Sequence, residues 1–274
     1  KMETICRLIS QSTGIVLIYS QYIDGGLVPL ALALEEMGIR RYGGGVGQST
    51  TLFDPKDSPN KSVDYRSIPF STDQSDNSAQ ENKRPEYPAH YVMITGDKGL
   101  SSSNVSDIAA VNRRENLDGS VVKVVLISQA GSEGIDFHNI RQVHVLDPWY
   151  NMSRIEQILG RAVRNCSHSS LELSERNVQI FLHASLMNGM PLKETVDLYL
   201  YRISEEKAIR IGEITRLMKE TAVDCLIHEN QSNFTADRMN QMVNHVVSSG
   251  EHVSFKIGDK PYTAICDYKN TCEF

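Results

Sequence analysis

Five short apolar runs, spaced by stretches of helical or turn character, constrain this chain more than any other feature. They are GIVLIYS at 14–20, YVMIT at 91–95, VVKVVLIS at 121–128, QVHVL at 142–146 and VQIFLH at 178–183. VVKVVLIS is the strongest β-branched run in the chain, and GIVLIYS is continuously apolar instead of alternating with polar residues. That pattern belongs to strands buried on both faces, as in a parallel sheet. Helical segments fall between the runs: Leu27 to Met37, a helix whose start is marked by Ser101 to Ser103 and which runs to about Asn116, and Met152 to about Val163. Strands alternating with helices predict an α/β fold, a parallel sheet with helices on both faces.

Two stretches break the alternation. From Gly43 to about Pro88 the composition turns to Gly, Ser, Asp, Asn, Gln, Lys and Pro, with little to bury, and this reads as a mobile insertion. Beyond Pro191 a charge-laced helix is predicted from about Lys193 to Glu220, with apolar positions at Val196, Tyr199, Leu200, Ile203, Ile211, Ile214, Leu217 and Met218. Its expected role is packing, against the lobe or a neighbouring domain. The tail from about Asn230 has weak periodicity. The expected organisation is a lobe at 1–190 carrying the 43–88 insertion, followed by a mainly helical extension at 191–274.

A net charge of −6 excludes a globally basic coat for nucleic acid, so any phosphate contact must be local. No apolar run reaches the roughly 18 residues that span a bilayer, and no membrane association is expected. The chain opens on Lys1 with neither an initiator Met nor a signal-peptide layout, which suggests a piece of a longer protein. Five scattered cysteines, Cys6, Cys166, Cys225, Cys266 and Cys272, fit a reducing, intracellular compartment. Cys225, His228, Cys266 and Cys272 lack the paired spacing of a zinc site, so buried thiols are expected there and no metal ligand is assigned.

The chemistry concentrates in 128–164. On a helix from Met152, the residues Arg154, Gln157, Arg161 and Arg164 fall within an arc of about 80°, opposite an apolar stripe of Ile155, Ile158, Leu159, Ala162 and Val163. A solvated helix face normally mixes both charge signs, and this row has no acid in it. From Arg141 to Arg164 there are four arginines against Asp147 and Glu156. Guanidinium forks bind phosphate oxygens two at a time, so a polyanion is the expected partner, and Gly160 permits its close approach. Upstream, SQAGSEGID at 128–136 follows a buried strand directly, where parallel α/β sheets place ligands. Its glycines let backbone N–H groups face an anion, and Asp136 is placed to accept from a ribose hydroxyl.

In order, SQAGSEGID (128–136), VHVLDPWYN (143–151) and RIEQILGRAVR (154–164) resemble motifs V, Va and VI of superfamily 2 helicases. The motif VI pattern Q/H-x-x-G-R-x-x-R is met without a gap by Gln157, Gly160, Arg161 and Arg164. Tyr19-Ser20-Gln21-Tyr22 resembles motif IV, and Thr95-Gly96 resembles the Thr-Gly step after the next strand. The match covers about residues 10–185. GSEGIDF, LDPWYN, RIEQILGRAVRNCSH, ETVDLYLYRIS and KETAVDC are closer still to the helicase-like transcription proteins of large DNA viruses. These are the poxvirus early transcription factor small subunit and nucleoside triphosphate phosphohydrolase I type.

The resemblance implies a RecA-like lobe, the second of two that sandwich ATP. Arg161 and Arg164 would neutralise charge on the transferring γ-phosphoryl group, an effect of about 10³ to 10⁵ in rate. Gln157 would orient the phosphate contacts, and Gly134, Asp136 and Gly160 would border the nucleotide. Ser20, Gln21, Thr95, Gly96 and Ser128 would track nucleic acid, with DNA expected over RNA. Neither a G-x-x-x-x-G-K-[ST] loop nor a DExx box occurs, and GGGVGQST at 43–50 lacks the phosphate-reading lysine. The expectation is therefore half an active site: ATP with Mg²⁺ held by an N-terminal lobe in cis, and no hydrolysis by this chain alone. Transcription-complex proteins are further expected partners, and the site of action would be the host cytoplasm, in virus factories, or the virion. The competing reading is a non-catalytic scaffold that binds proteins through the long helix.

Overall fold

A computed structural model describes residues 1–43, 50–54, 56, 65–66, 89–101, 103–129, 134–187, 194–223, 237, 240–258, 260–270 and 272. Most of the 43–88 insertion, including residues 44–49 of the GGGVGQST string, lies outside them, as do Cys225 and His228. The described chain forms two compact units. The first comprises Lys1–Asp147, Ile158–His183 and Val247–Glu251, and the second Pro148–Gln157, Ala184–Val246 and His252–Phe274.

The first unit is built on a six-stranded, wholly parallel sheet, with strands β1 (Ile15–Tyr19), β2 (Arg40–Arg41), β3 (His90–Ile94), β4 (Val122–Ile127), β5 (Ile140–Val145) and β6 (Gln179–Leu182) in the order β2-β3-β4-β1-β5-β6. Every residue of β1, β4 and β5 is buried, which is the physical content of the apolar runs in β1 and β4, while β5 also buries Arg141, Gln142 and His144. Val16, Ile18, Tyr91, Met93, Val124 and Leu126 turn to one face. There they meet Ile5, Cys6 and Ile9 of α1 (Met2–Gln11) and Leu30, Ala31 and Leu34 of α2 (Val28–Glu36). α3 (Asn104–Val111) packs on β3 and β4. This is the RecA-like α/β architecture expected from the motifs. α1, to which the sequence reading assigned nothing, earns its place through the Ile5–Ile9 repeat of one helical turn.

Three polar devices hold the sheet in register. Lys123, the second residue of β4 and 2% exposed, donates from Nζ to the carbonyls of Ser12 (2.9 Å) and Gly14 (2.7 Å) at the entrance to β1. Glu35, at the end of α2, accepts from Tyr91 Oη (2.6 Å), Thr51 Oγ1 (2.5 Å) and the Leu52 N–H (2.9 Å). Gly14 has a φ of 77°, and a Cβ there would stand 2.9 Å from Arg141 Cβ, so only glycine lets β5 pass. On β5, His144 is bonded to His183 (Nδ1 to Nε2, 2.9 Å) and stacked on Phe181. Burial pushes its pKa down to about 3, which keeps the imidazole neutral.

The second unit contains the beginning of α4 (Met152–Ala162), the 26-residue α5 (Val196–Thr221) and an antiparallel hairpin of β7 (Met242–Val246) and β8 (His252–Lys256). The hairpin falls in the tail that showed weak periodicity. α5 starts on Thr195, whose hydroxyl accepts from the Leu198 N–H. Its buried residues are Ser204, Ala208, Gly212 and Arg216, four apart on one side, and a Cβ at Gly212 would come within 2.8 Å of the Asp267 carbonyl carbon. Close backbone approach therefore selects the packed face. Val196, Ile211, Ile214, Leu217 and Met218, which the periodicity marked for packing, are 59–74% exposed. Arg216 and Lys219 both bind the Asp267 carboxylate, at 2.9 and 2.8 Å. The expectation of free thiols is corrected at two positions: Cys266 and Cys272 form a disulfide, while Cys6 and Cys166 are free. Their separation of only six residues carries no CxxC signal, so spacing alone gave no warning. No helix among the described residues is long and apolar enough to cross a membrane.

Candidate functional site

The carboxyl edge of the sheet sets out one half of the site. The registers Ile94–Ile127, Tyr19–Ile127 and Tyr19–Val145 make Thr95, Ser128, Ser20 and Leu146 the first residues beyond four adjacent strands. Three of the five residues expected to track nucleic acid thus stand side by side, where open α/β sheets bind ligands. Their exposure differs from the expectation. Ser20 is fully buried, its hydroxyl bonded to the Asp147 carboxylate and to the Tyr22 carbonyl (3.0 Å), and it accepts from the Tyr22 N–H (3.1 Å). The Ser20 hydroxyl thereby braces the turn after β1. Thr95 is also buried, with Oγ1 accepting from the Asp97 N–H (3.2 Å). Gly96 is exposed and Gln21 half-buried. The Ser128 hydroxyl is buried and has no hydrogen-bond partner among the described residues.

The other half is the end of α4. Arg161 lies in its last turn and Arg164 just past it, where the helix stops. The stop is a built one. Ser167 Oγ donates toward the Arg164 carbonyl (2.9 Å) and lies 3.3 Å from the Ala162 carbonyl. His168 spans Ser167 Oγ (2.8 Å) and the Ile140 carbonyl of β5 (2.6 Å). Burial lowers the His168 pKa, so the ring stays neutral. The string RNCSH therefore ends in a helix stop, a structural role the sequence reading did not assign.

Both arginines reach back to the loop after β4. Arg161 Nη1 donates to the Ile135 carbonyl (3.3 Å), and its Nε is buried with no hydrogen-bond partner among the described residues. Arg164 pairs with the Asp136 carboxylate, both side chains about half exposed. Gly134 has a φ of 70°, and a Cβ on Gly134 or Gly160 would meet nothing within 4 Å. Gln157 is exposed one turn before Arg161. Arg154 leaves the expected row: its guanidinium lies 4.5 Å over the Trp149 ring, which stacks on Tyr150, and Lys207 covers that ring from 5.2 Å. This cation–aromatic column joins α5 to the start of α4 within the second unit, and makes Arg154 a packing residue. Among the described residues no cluster of three or more His, Cys, Asp or Glu could hold a metal ion.

The described lobe thus brings an arginine pair against the loop after β4, at the carboxyl side of a parallel sheet. Residues 62–166 match the helicase conserved C-terminal domain, and the chain is similar to proteins of large DNA viruses. A putative helicase 087L of Invertebrate iridescent virus 3 is 32% identical over 163 residues, covering 59% of this chain and 16% of the relative. The putative ATP-dependent RNA helicase R563 of Acanthamoeba polyphaga mimivirus is 31% identical over 152 residues, covering 55% and 26%. A termination factor NPH-I homolog of African swine fever virus is 28% identical over 260 residues, covering 89% and 35%. The chain thus spans about a third or less of the length of these relatives.

Proposed function

We propose that this chain is the second motor lobe of an ATP-dependent nucleic-acid helicase or translocase, with residues 1–190 as the lobe and 191–274 as its extension. The observation that carries the reading is the arginine pair at the end of α4. Among the described residues, Arg161 and Arg164 are held by a backbone carbonyl and a half-exposed carboxylate, contacts that a triphosphate can replace. Arg161 Nε, which has no partner among the described residues, and the open space over Gly160 and Gly134 fit a phosphate group there. In this reading ATP and Mg²⁺ are held mainly by an N-terminal lobe in cis. Arg161 and Arg164 supply positive charge to the γ-phosphoryl group as charge builds on it. Gln157 orients those contacts, and Asp136, once exchanged from Arg164, accepts from the ribose.

Nucleic acid runs along the carboxyl edge, touching Gln21, Gly96 and Ser128 and supported from below by Ser20 and Thr95. DNA is the proposed polymer and transcription the proposed setting, in the cytoplasm of an infected cell or the virion. Support comes from the DPWYN segment and from a relative named as a termination factor. The test is nucleic-acid-stimulated ATP hydrolysis by this chain alone and by the full-length protein, with single-stranded DNA, duplex DNA and RNA as stimulants. Activity confined to the full-length protein is expected. Equal hydrolysis by the isolated chain sinks the half-site reading, and stimulation by RNA alone sinks the choice of DNA. The exposed Ile211, Ile214, Leu217 and Met218 favour a second, protein-binding role for α5. Capture of transcription proteins that survives Arg161→Ala but not deletion of 190–230 would establish it.

A further inference from the structure

One side chain outside every helicase-like string fixes both acceptors that hold the arginine pair. Asn112 caps the end of α3, where its own N–H bonds the Ile108 carbonyl at 3.1 Å, and α3 is packed on β3 and β4. Its side-chain amide closes on the loop after β4 at two points. Nδ2 donates to the Asp136 carbonyl at 2.8 Å, and Oδ1 accepts from the His138 N–H at 3.0 Å. A single planar group thereby satisfies two backbone groups two residues apart, much as a neighbouring strand would. Between them Phe137 is buried at 1% exposure and anchors the same turn from the inside.

The clamp matters because of what the loop presents. The Ile135 carbonyl receives Arg161, and the Asp136 carboxylate receives Arg164. Both lie at or next to a residue that Asn112 grips. The segment forms no strand or helix of its own, so no ladder would hold these acceptors if the amide were lost.

We propose that Asn112 is a positioning residue of the ATPase half-site, acting through the 135–138 backbone to fix where Arg161 and Arg164 wait and where Asp136 meets the nucleotide. The proposal rests on the arginine reading above. It is tested in the full-length protein by steady-state kinetics on Asn112→Ala, Asn112→Asp, Arg161→Ala and the Asn112→Ala/Arg161→Ala double variant. Asn112→Ala should lower kcat about 10-fold with the KM for ATP moving far less, since the lost alignment is felt chiefly in the transition state. Asn112→Asp, which keeps the acceptor for the His138 N–H and loses the donor, should fall between, and serves if the alanine variant does not fold. In the Arg161→Ala background the Asn112 change should cost almost nothing further, a non-additivity that a merely structural role would not produce. Losses that multiply in the double variant, or an unchanged kcat in both Asn112 variants while Arg161→Ala is impaired, overturn the proposal alone. An unimpaired Arg161→Ala overturns the half-site reading, and the role of Asn112 with it.

Discussion

The carboxyl edge of the sheet and the end of α4 are built in opposite ways. Along the edge, Ser20 and Thr95 are buried and their hydroxyls are bonded inside the protein, to Asp147, Tyr22 and Asp97. At the end of α4, Arg161 and Arg164 lean on contacts that are partly open to solvent. The first arrangement costs free energy to disturb and so maintains a shape. The second contributes little stability, because exposed ion pairs are worth about 0–1 kcal/mol, and can be exchanged for a ligand. A motor lobe of the proposed kind needs both a surface that keeps its form against a polymer and charges that change partner when nucleotide arrives.

That contrast can be broken at several strengths. The largest effect is expected at Arg161: replacement by alanine in the full-length protein should lower nucleic-acid-stimulated kcat about 10³-fold. Full activity would move Arg161 to the structural side of the comparison. Next comes Gly26, where a Cβ would overlap Ser20 Oγ and stand 3.0 Å from Ser20 Cβ. Gly26→Ala should destabilise the lobe by about 2 kcal/mol in urea denaturation, through displacement of the braced turn. A neutral result would show that the turn is not rigid. Third, Gln21→Ala should weaken binding of a labelled DNA strand about fivefold, roughly 1 kcal/mol, with the urea midpoint unchanged. Ser20→Ala should show the reverse pattern, so affinity loss without destabilisation at Ser20 would return it to the direct contacts. The smallest effect belongs to Asp136→Asn, which should change stability by no more than about 0.5 kcal/mol because the pair with Arg164 is half exposed. A loss of several times that would mean the pair is structural.

Much of the lobe was legible in advance because burial on both faces of a parallel sheet leaves a one-dimensional trace. VVKVVLIS became β4 and GIVLIYS became β1, each within a residue at either end. The helix at Met152 was legible too, and ends at Ala162, one residue before the expected limit. Long-range pairings leave no such trace. Nothing near Asn112 points to Asp136 or His138, and nothing in VVKVV shows that Lys123 satisfies carbonyls beside β1. The α5 stripe misled in a related way. Apolar periodicity at Ile211, Ile214 and Leu217 marks a face able to pack, whereas the face that does pack was chosen by how closely the Asp267 backbone must approach Gly212.

The sequence by itself determined the α/β class, the order of the strands β1, β3, β4, β5 and β6 with the helices between them, and the identity of the arginine-bearing helix, since each depends on neighbours within a few residues. Tertiary structure alone decided which of the candidate residues face outward. Ser20 and Arg154 were turned inward, one under Asp147 and Tyr22 and one onto Trp149, while Gln157 and Arg164 were left exposed. The reason is that a side chain's availability depends on hydrogen bonds and ring contacts made to it by the folded chain. Those partners can be as far away in sequence as Asp147 is from Ser20.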